Sequence, residues 1–548
     1  MRTSRLLSSV AAGAAALILA GTEWHARGQA VSSDVVTHHN DNERTGQNLN
    51  EMVLTLSNVN SSSFGKVGFL AADGKVDAQP LYLSAVPIPG QGLHNVVYAA
   101  TEHGSLYAFD ADTGTLLWRT SLLGSGETPS DARNCGQVTP EIGITSTPVI
   151  DRTRGPNGTI YAVAMSKNAA NTYVQRLHAL DIATGAELAV SPQPIEASVA
   201  GTGAGSAAGR LPFDPKQYEE RAALLLLNGV VYTTWTSHCD IPPYTGWILG
   251  YDAATLAQRS VLNVTPNGSG GAFWQAGGGP AADALGNIYL MAGNGTFDTT
   301  LDAGGFPNRS NFGNAFLALS TIPTSPGLAV SDYFATFDTV AQSAVDLDLG
   351  SGGPIVIPAL TDSSLQTRRL VVGAGKDRRI YVLDRDRMGK FDPSRNNIYQ
   401  ELGGALAGGV FSVPAYFDNT VYFGAVGDAI KAFPISGGRL ASTPSSRTAT
   451  AFVYPGATVS ISANGVSDAI LWAVQNTSPA VLSAYDARNL ARELYNSNQA
   501  PERDRFGAGN KFITPTIANG RVYVGTPTGV AVFGLLPERA GPPFRRIR

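Results

Sequence analysis

The chain has 548 residues, only 15% of them charged, with 61 glycines, 32 prolines and a formal net charge of −4. With no Lys/Arg-rich runs, that balance argues against nucleic acid as a partner, because a phosphate backbone has to be offset by repeated basic sites. The composition fits many short strands joined by tight turns, an all-β chain.

Residues 1–30 read as a targeting signal. Arg2 and Arg5 give the positive start, Leu6 to Gly21 is an apolar run, and Gly28-Gln29-Ala30 is a small-residue exit, with cleavage expected before Val31. The run is short for a membrane anchor, and no second apolar stretch of about 18 residues follows, so no membrane span is expected. The expected location is periplasmic or secreted, in a bacterium. In such a compartment Cys135 and Cys239 read first as one disulfide. No Cys-x-x-Cys-His haem attachment occurs.

Residues 31–548 would suggest about three domains by length, but they repeat internally, which points to one closed repeat domain. A strand of the form Gly-x-Val/Ile-Tyr appears as NVVYAAT from Asn95, GTIYAVA from Gly158, GVVYTTW from Gly229 and GNIYLMA from Gly286. Weaker copies start at Arg369, Asn419, Ala469 and Gly520. Each is followed by a strand ending in a turn, at Asp110, Asp181, Asp252, Ser320, Asp384, Pro434, Asp486 and Gly534. A third strand precedes each pair, often starting near a proline, as in STPVID from Ser146. Three or four strands per unit, repeated at roughly 50 to 70 residues, predict a β-propeller of eight blades, with seven the next count. One small sheet cannot bury both of its faces, and radial stacking does so.

The Asp-x-x-Thr-Gly turns after Asp110 and Asp181 are structural: the carboxylate accepts from backbone amides and the glycine takes a left-handed conformation. His103 and His178 read as packed or hydrogen-bonded repeat residues, and the tandem His38-His39 pair as solvated. His238, beside Cys239, is the histidine expected nearest a site. The long excursions Leu122 to Val138 and Pro192 to Arg221 are where a site would be built on a rigid scaffold.

These repeats resemble those of quinoproteins, the eight-bladed dehydrogenases that use pyrroloquinoline quinone (PQQ). AFDADTGTLLW, Ala108 to Trp118, is similar to their docking motif between blades, and DNERTGQNLNEMVLTLSNVNSSSFGKV from Asp41 resembles their opening segment, an N-terminal strap. FWQAGGGPAADALGNIYLMAGNG, Phe273 to Gly295, resembles the stretch in which a tryptophan stacks under PQQ and an asparagine oxygen binds its calcium. The matching residues are Trp274 and Asn294. An indole face suits a flat ring, and an amide oxygen suits Ca²⁺. AVDLDLG from Ala344 resembles the segment bearing the catalytic base, which makes Asp348 the candidate and Asp346 the reserve. GAGKDRRIYVLDR from Gly373 places Lys376 where the family has a basic residue on the quinone oxygens.

The chain also departs from the family. The adjacent cysteine pair over the cofactor is missing, and only Cys135 lies in the comparable stretch. The arginine expected just beyond it is absent, with Glu141 nearby. The calcium-binding glutamate has no clear match, although Asp240 is close in register. If the resemblance extends to function, it implies oxidation of a small alcohol or polyol, with Asp348 as general base and Ca²⁺ held by Asn294, Asp348 and Asp240. Hydride would pass to PQQ, Lys376 would stabilise the developing oxyanion, and electrons would leave to a separate acceptor such as a cytochrome. Two other readings stay open: a cofactor-free propeller acting as a binding or scaffold protein in the cell envelope, and a hydrolase or lyase using carboxylates such as Glu141 and Asp240.

Overall fold

The computed structural model describes residues 33–321 and 327–537; the expected targeting segment, residues 1–30, lies outside them. Eight sheets built on antiparallel strands follow one another along the chain, spanning 81–121, 127–194, 225–263, 281–334, 355–402, 415–452, 460–496 and 516–535, with Gln47–Asn48 added in parallel to the seventh. We number them blades 1 to 8. The architecture is the eight-bladed propeller that the repeats predict.

The repeat motif has a physical purpose at the blade interfaces. Tyr98, Tyr161 and Tyr422, each the tyrosine of a Gly-x-Val/Ile-Tyr strand, donate through their hydroxyls to the carbonyls of Ile182, Ala253 and Ala487. Each acceptor is the residue directly after the aspartate that opens a turn in a neighbouring blade. The turn is preset as expected: Asp110 Oδ1 accepts from the amides of Asp112 and Thr113, and Asp181 Oδ1 from those of Ala183 and Thr184. Trp118 adds a second link from blade 1 to blade 2, donating to Ile182 O at 3.0 Å. The tryptophan lies so close over Gly185 (φ 67°) that a Cβ there would sit 2.4 Å from its ring.

The ring closes with a strand from each terminal region. Phe64–Ala71 pairs antiparallel with Gly529–Leu535 and completes blade 8, so the two terminal regions are joined within one sheet. Ahead of it the N-terminal strap visits the blades in order. Val35 bridges Tyr82, and Val36 O accepts from Ile150; the carbonyls of Asn42, Glu43, Thr45 and Gly46 accept from Ala282, Val356, Tyr416 and Ile461. Asn42 Nδ2 reaches Leu226 O in blade 3, and Asn48 Nδ2 reaches Ile517 O in blade 8. At the middle of the strap Arg44 is fully buried and donates to the carbonyls of His38, Leu224 and Pro280. Backbone carbonyls from separate blades thus converge on one guanidinium.

His38 and His39 are not solvated, contrary to the expectation from their sequence position. Both are buried in the strap, and His39 bridges Arg44 O and Val459 O at 2.7 Å each. Burial pushes the His39 imidazole down to about 4, against the two carbonyls, which favour its protonated form.

Candidate active site

A cavity of about 370 Å³ is lined by Trp274, Asp346, Asp348, Lys376, Asp240 and Cys239, together with Gln137, Arg221 and the rings of Phe411, Tyr454 and Phe512. These residues come from different blades and meet because each sits at a strand end or in the loop beyond it. Lys376 follows Leu370–Ala374, Asp348 leads into the turn Leu349–Ser351, and Trp274 leads into Gln275–Gly277. Lys376 N donates to Asp348 O at 2.9 Å, which locks the two segments in register.

The side chains then form a connected cluster. Lys376 Nζ lies 2.7 Å from Asp348 Oδ1 and also donates to Asp346. Asn294 Nδ2 donates to Asp346 Oδ1 at 2.6 Å, while Asn294 Oδ1 is buried without a hydrogen-bond partner. Gly293 is the packing point. A Cβ there would meet Trp274 Cδ1 at 3.3 Å and Asp348 Oδ2 at 3.4 Å, so the indole edge and the carboxylate flank one glycine.

Burial raises the Asp348 carboxyl to about 6, with Lys376 pulling it down and Asp346 and Asp240 pushing it up. Lys376 stays charged: burial works against its ammonium, but Asp348 and Asp346 hold its pKa above the ordinary value. A carboxylate poised near neutrality inside a cavity is suited to take and release a proton.

Cys135 and Cys239 form a disulfide with a Cα–Cα distance of 5.4 Å. It ties the long excursion after blade 1 to the loop carrying Asp240, and Cys239 itself reaches the cavity. Asp240 Oδ1 accepts from the Tyr244 hydroxyl at 2.7 Å. His238 is buried but is not part of the cavity wall; its Nδ1 lies 3.5 Å from Glu219. Glu141 is not part of the wall either and is bonded to His103 at 2.9 Å. His178 pairs with Glu187. The carboxylate pair Glu141 and Asp240, weighed for a hydrolase, therefore does not line one cavity.

The donor chemistry can be tested against a quinone and a hard cation. Trp274 offers an indole in the wall, and Asn294 Oδ1 and the Asp348 carboxylate are oxygen donors of the kind Ca²⁺ prefers. Among the described residues, however, no three His, Cys, Asp or Glu side chains gather as a metal-binding group. The oxygens suit a cation that completes its shell from a ligand or water, not an all-protein cage.

Sequence reasoning did not single out Gln137, Arg221, Phe411, Tyr454 or Phe512 of this wall, and Arg221 is the charged one among them. It is 4% exposed and lines the cavity. Its signal was present in the run Glu219-Glu220-Arg221, three charges directly before an apolar strand in a chain that is otherwise poor in charge.

The PQQ_2 family model, described as "Outer membrane protein assembly factor BamB", matches residues 95–207. Among curated proteins none matches the chain. Two solved structures are similar in fold. Quinohemoprotein alcohol dehydrogenase from Comamonas testosteroni has a TM-score of 0.60 at 14% identity, covering 94% of this chain and 83% of that one. Quinohemoprotein alcohol dehydrogenase ADHIIG from Pseudomonas putida HK5 has a TM-score of 0.58 at 14% identity, covering 93% and 82%. Among the described residues no helix is long and apolar enough to cross a membrane. The chain thus matches a BamB-type PQQ-repeat model over residues 95–207 and shares the eight-bladed propeller fold of two quinohemoprotein alcohol dehydrogenases.

Proposed function

We propose that the protein is a PQQ-dependent oxidoreductase that converts a small alcohol or polyol to its carbonyl compound. The observation carrying this reading is the convergence of Trp274, Asp348 and Lys376 on one cavity, with Asn294 bonded to Asp346 of its wall. The repeats alone do not require that convergence. PQQ, when bound, supplies the two-electron acceptor.

The chain's own groups do the rest. Trp274 gives the ring a flat contact surface. Asp348, with its carboxyl near 6, accepts the proton of the substrate hydroxyl. Lys376 keeps Asp348 in place and presents a fixed positive charge to developing negative charge on oxygen. Asn294 Oδ1, Asp348 and Asp240 are the oxygens offered to Ca²⁺. The electrons pass to a separate acceptor such as a cytochrome. Export to the periplasm or exterior is part of this reading, supported by the Cys135–Cys239 bridge.

The test is reconstitution. Purified protein is loaded with PQQ and Ca²⁺, and reduction of an artificial dye is followed across a panel of alcohols and polyols. Turnover that depends on PQQ supports the reading. A protein that binds no PQQ under any condition is instead the cofactor-free scaffold.

A further inference from the structure

We propose that Arg221 forms an anion subsite in the cavity wall that takes a carboxylate of the bound ligand. The resemblance to quinoproteins assigns no such role to this position, and it places the cation on an arginine that this chain lacks. The subsite rests on the reading of the cavity as a quinone pocket and deepens it by stating what holds the ligand's charge.

Arg221 is buried, yet its Nη1 has no hydrogen-bond partner among the described residues. Its ion pair is loose, 3.6 Å to Glu219 Oε1, and that oxygen is itself unbonded. The guanidinium packs on the Phe512 ring, 4.4 Å from its centroid, which fixes its plane without using its donors. Beside it in the same cavity, Gln137 Oε1 is also buried and unpartnered. A guanidinium left with free donors in a dry wall is costly unless a ligand completes its bonds.

Asp240, Asp346 and Asp348 line the same cavity and gather about Lys376, whereas the charges that act on Arg221 and its neighbours are a different set. Arg221 also borders a second, small cavity, reached by Asp77 and Lys511. Lys75 is satisfied by Asp77 at 2.9 Å. Glu102 adjoins Asp77, and burial together with that neighbour raises its carboxyl well above the usual range. Burial raises Glu219 to about 7, so its charge only partly offsets Arg221. His238, against Glu219, is lowered by burial to about 4 and is neutral. The Lys511 ammonium adds a further positive charge, held below its usual pKa by burial and by Arg221. An anion is what the Arg221 guanidinium lacks at its end of the wall, and a planar carboxylate matches its fork.

The experiment measures binding, not turnover, on the full mature chain by equilibrium dialysis with three probes: PQQ, its trimethyl ester and benzene-1,3,5-tricarboxylate. Wild type should bind the PQQ acid about tenfold to a hundredfold more tightly than the ester. Arg221→Gln should shrink that preference to within about threefold while leaving ester binding unchanged, and Arg221→Lys should recover part of it. Equal binding of acid and ester by wild type overturns the subsite and leaves the quinone reading standing, and this comparison needs no variant to fold. Arg221-dependent binding of the tricarboxylate without any PQQ binding supports the subsite and defeats the quinone reading. Binding of none of the probes defeats both.

Discussion

Lys376 Nζ stands 2.7 Å from Asp348 Oδ1 in a cavity whose burial would otherwise hold that carboxyl protonated. The pair therefore sets the pH range in which Asp348 can act as a base. Because only the ionised carboxylate accepts a proton, kcat/KM for an alcohol should rise with pH through the Asp348 titration, which stands at about 6 without a cation and moves lower where Ca²⁺ is bound, and level off above it. Lys376→Met removes the charge that favours ionisation, so the rising limb should move to higher pH by a unit or more. Stopped assays from pH 4.5 to 9 check both the limb and its direction of shift.

Trp274 should contribute to holding the ring, not to the proton step. Trp274→Ala should weaken PQQ binding about twofold to tenfold, in line with about 0.5–1.5 kcal/mol for an aromatic pair. The pH limb of kcat/KM should stay where it is in wild type. Binding titrations and the pH profile on one preparation separate the two effects.

The Cys135–Cys239 bridge joins positions 104 residues apart in sequence. A cross-link of that span stabilises by about 4 to 5 kcal/mol in the chain-entropy account. Replacing both cysteines by serine should lower the denaturant midpoint accordingly. Because Cys239 reaches the cavity and Asp240 follows it, PQQ binding should weaken in the same variant. Equilibrium unfolding with and without dithiothreitol measures the first effect on the unmodified protein.

Gly185 reports on blade docking far from the chemistry. Its φ of 67° and the 2.4 Å approach that a Cβ would make to Trp118 combine backbone strain with a clash. Gly185→Ala should cost about 2 kcal/mol or more. Trp118→Phe, which keeps the bulk and loses the bond to Ile182 O, should cost about 1 kcal/mol. Urea midpoints give both values.

What could be read from the sequence follows from the range of the interactions. Strand periodicity and the Asp turns are local, so the eight repeats and the structural role of Asp110 and Asp181 were readable directly. The cluster of Trp274, Asn294, Asp348 and Lys376 came from a resemblance, because residues brought together from separate blades leave no mark in local spacing. The path of the strap was hidden for another reason. It binds blades through backbone carbonyls that any sequence supplies, so the burial of His38 and His39 could not be read from their side chains. Arg221 closes a long excursion recognised as a place for a site, and Cys135 and Gln137 lie near the end of another. Which residue of each loop turns inward depends on packing across blades, so only the loops were identified.

The most direct test of the central claim is a single anaerobic turnover. Protein loaded with PQQ and Ca²⁺ is mixed with an alcohol panel, and the quinone absorbance is followed in wild type and in Asp348→Asn. The account predicts one PQQ bound per chain in both proteins. It also predicts rapid bleaching in wild type and bleaching about 10²–10⁴-fold slower in the variant. Equal bleaching rates in the two proteins, or a loaded wild type that no alcohol reduces, would contradict it.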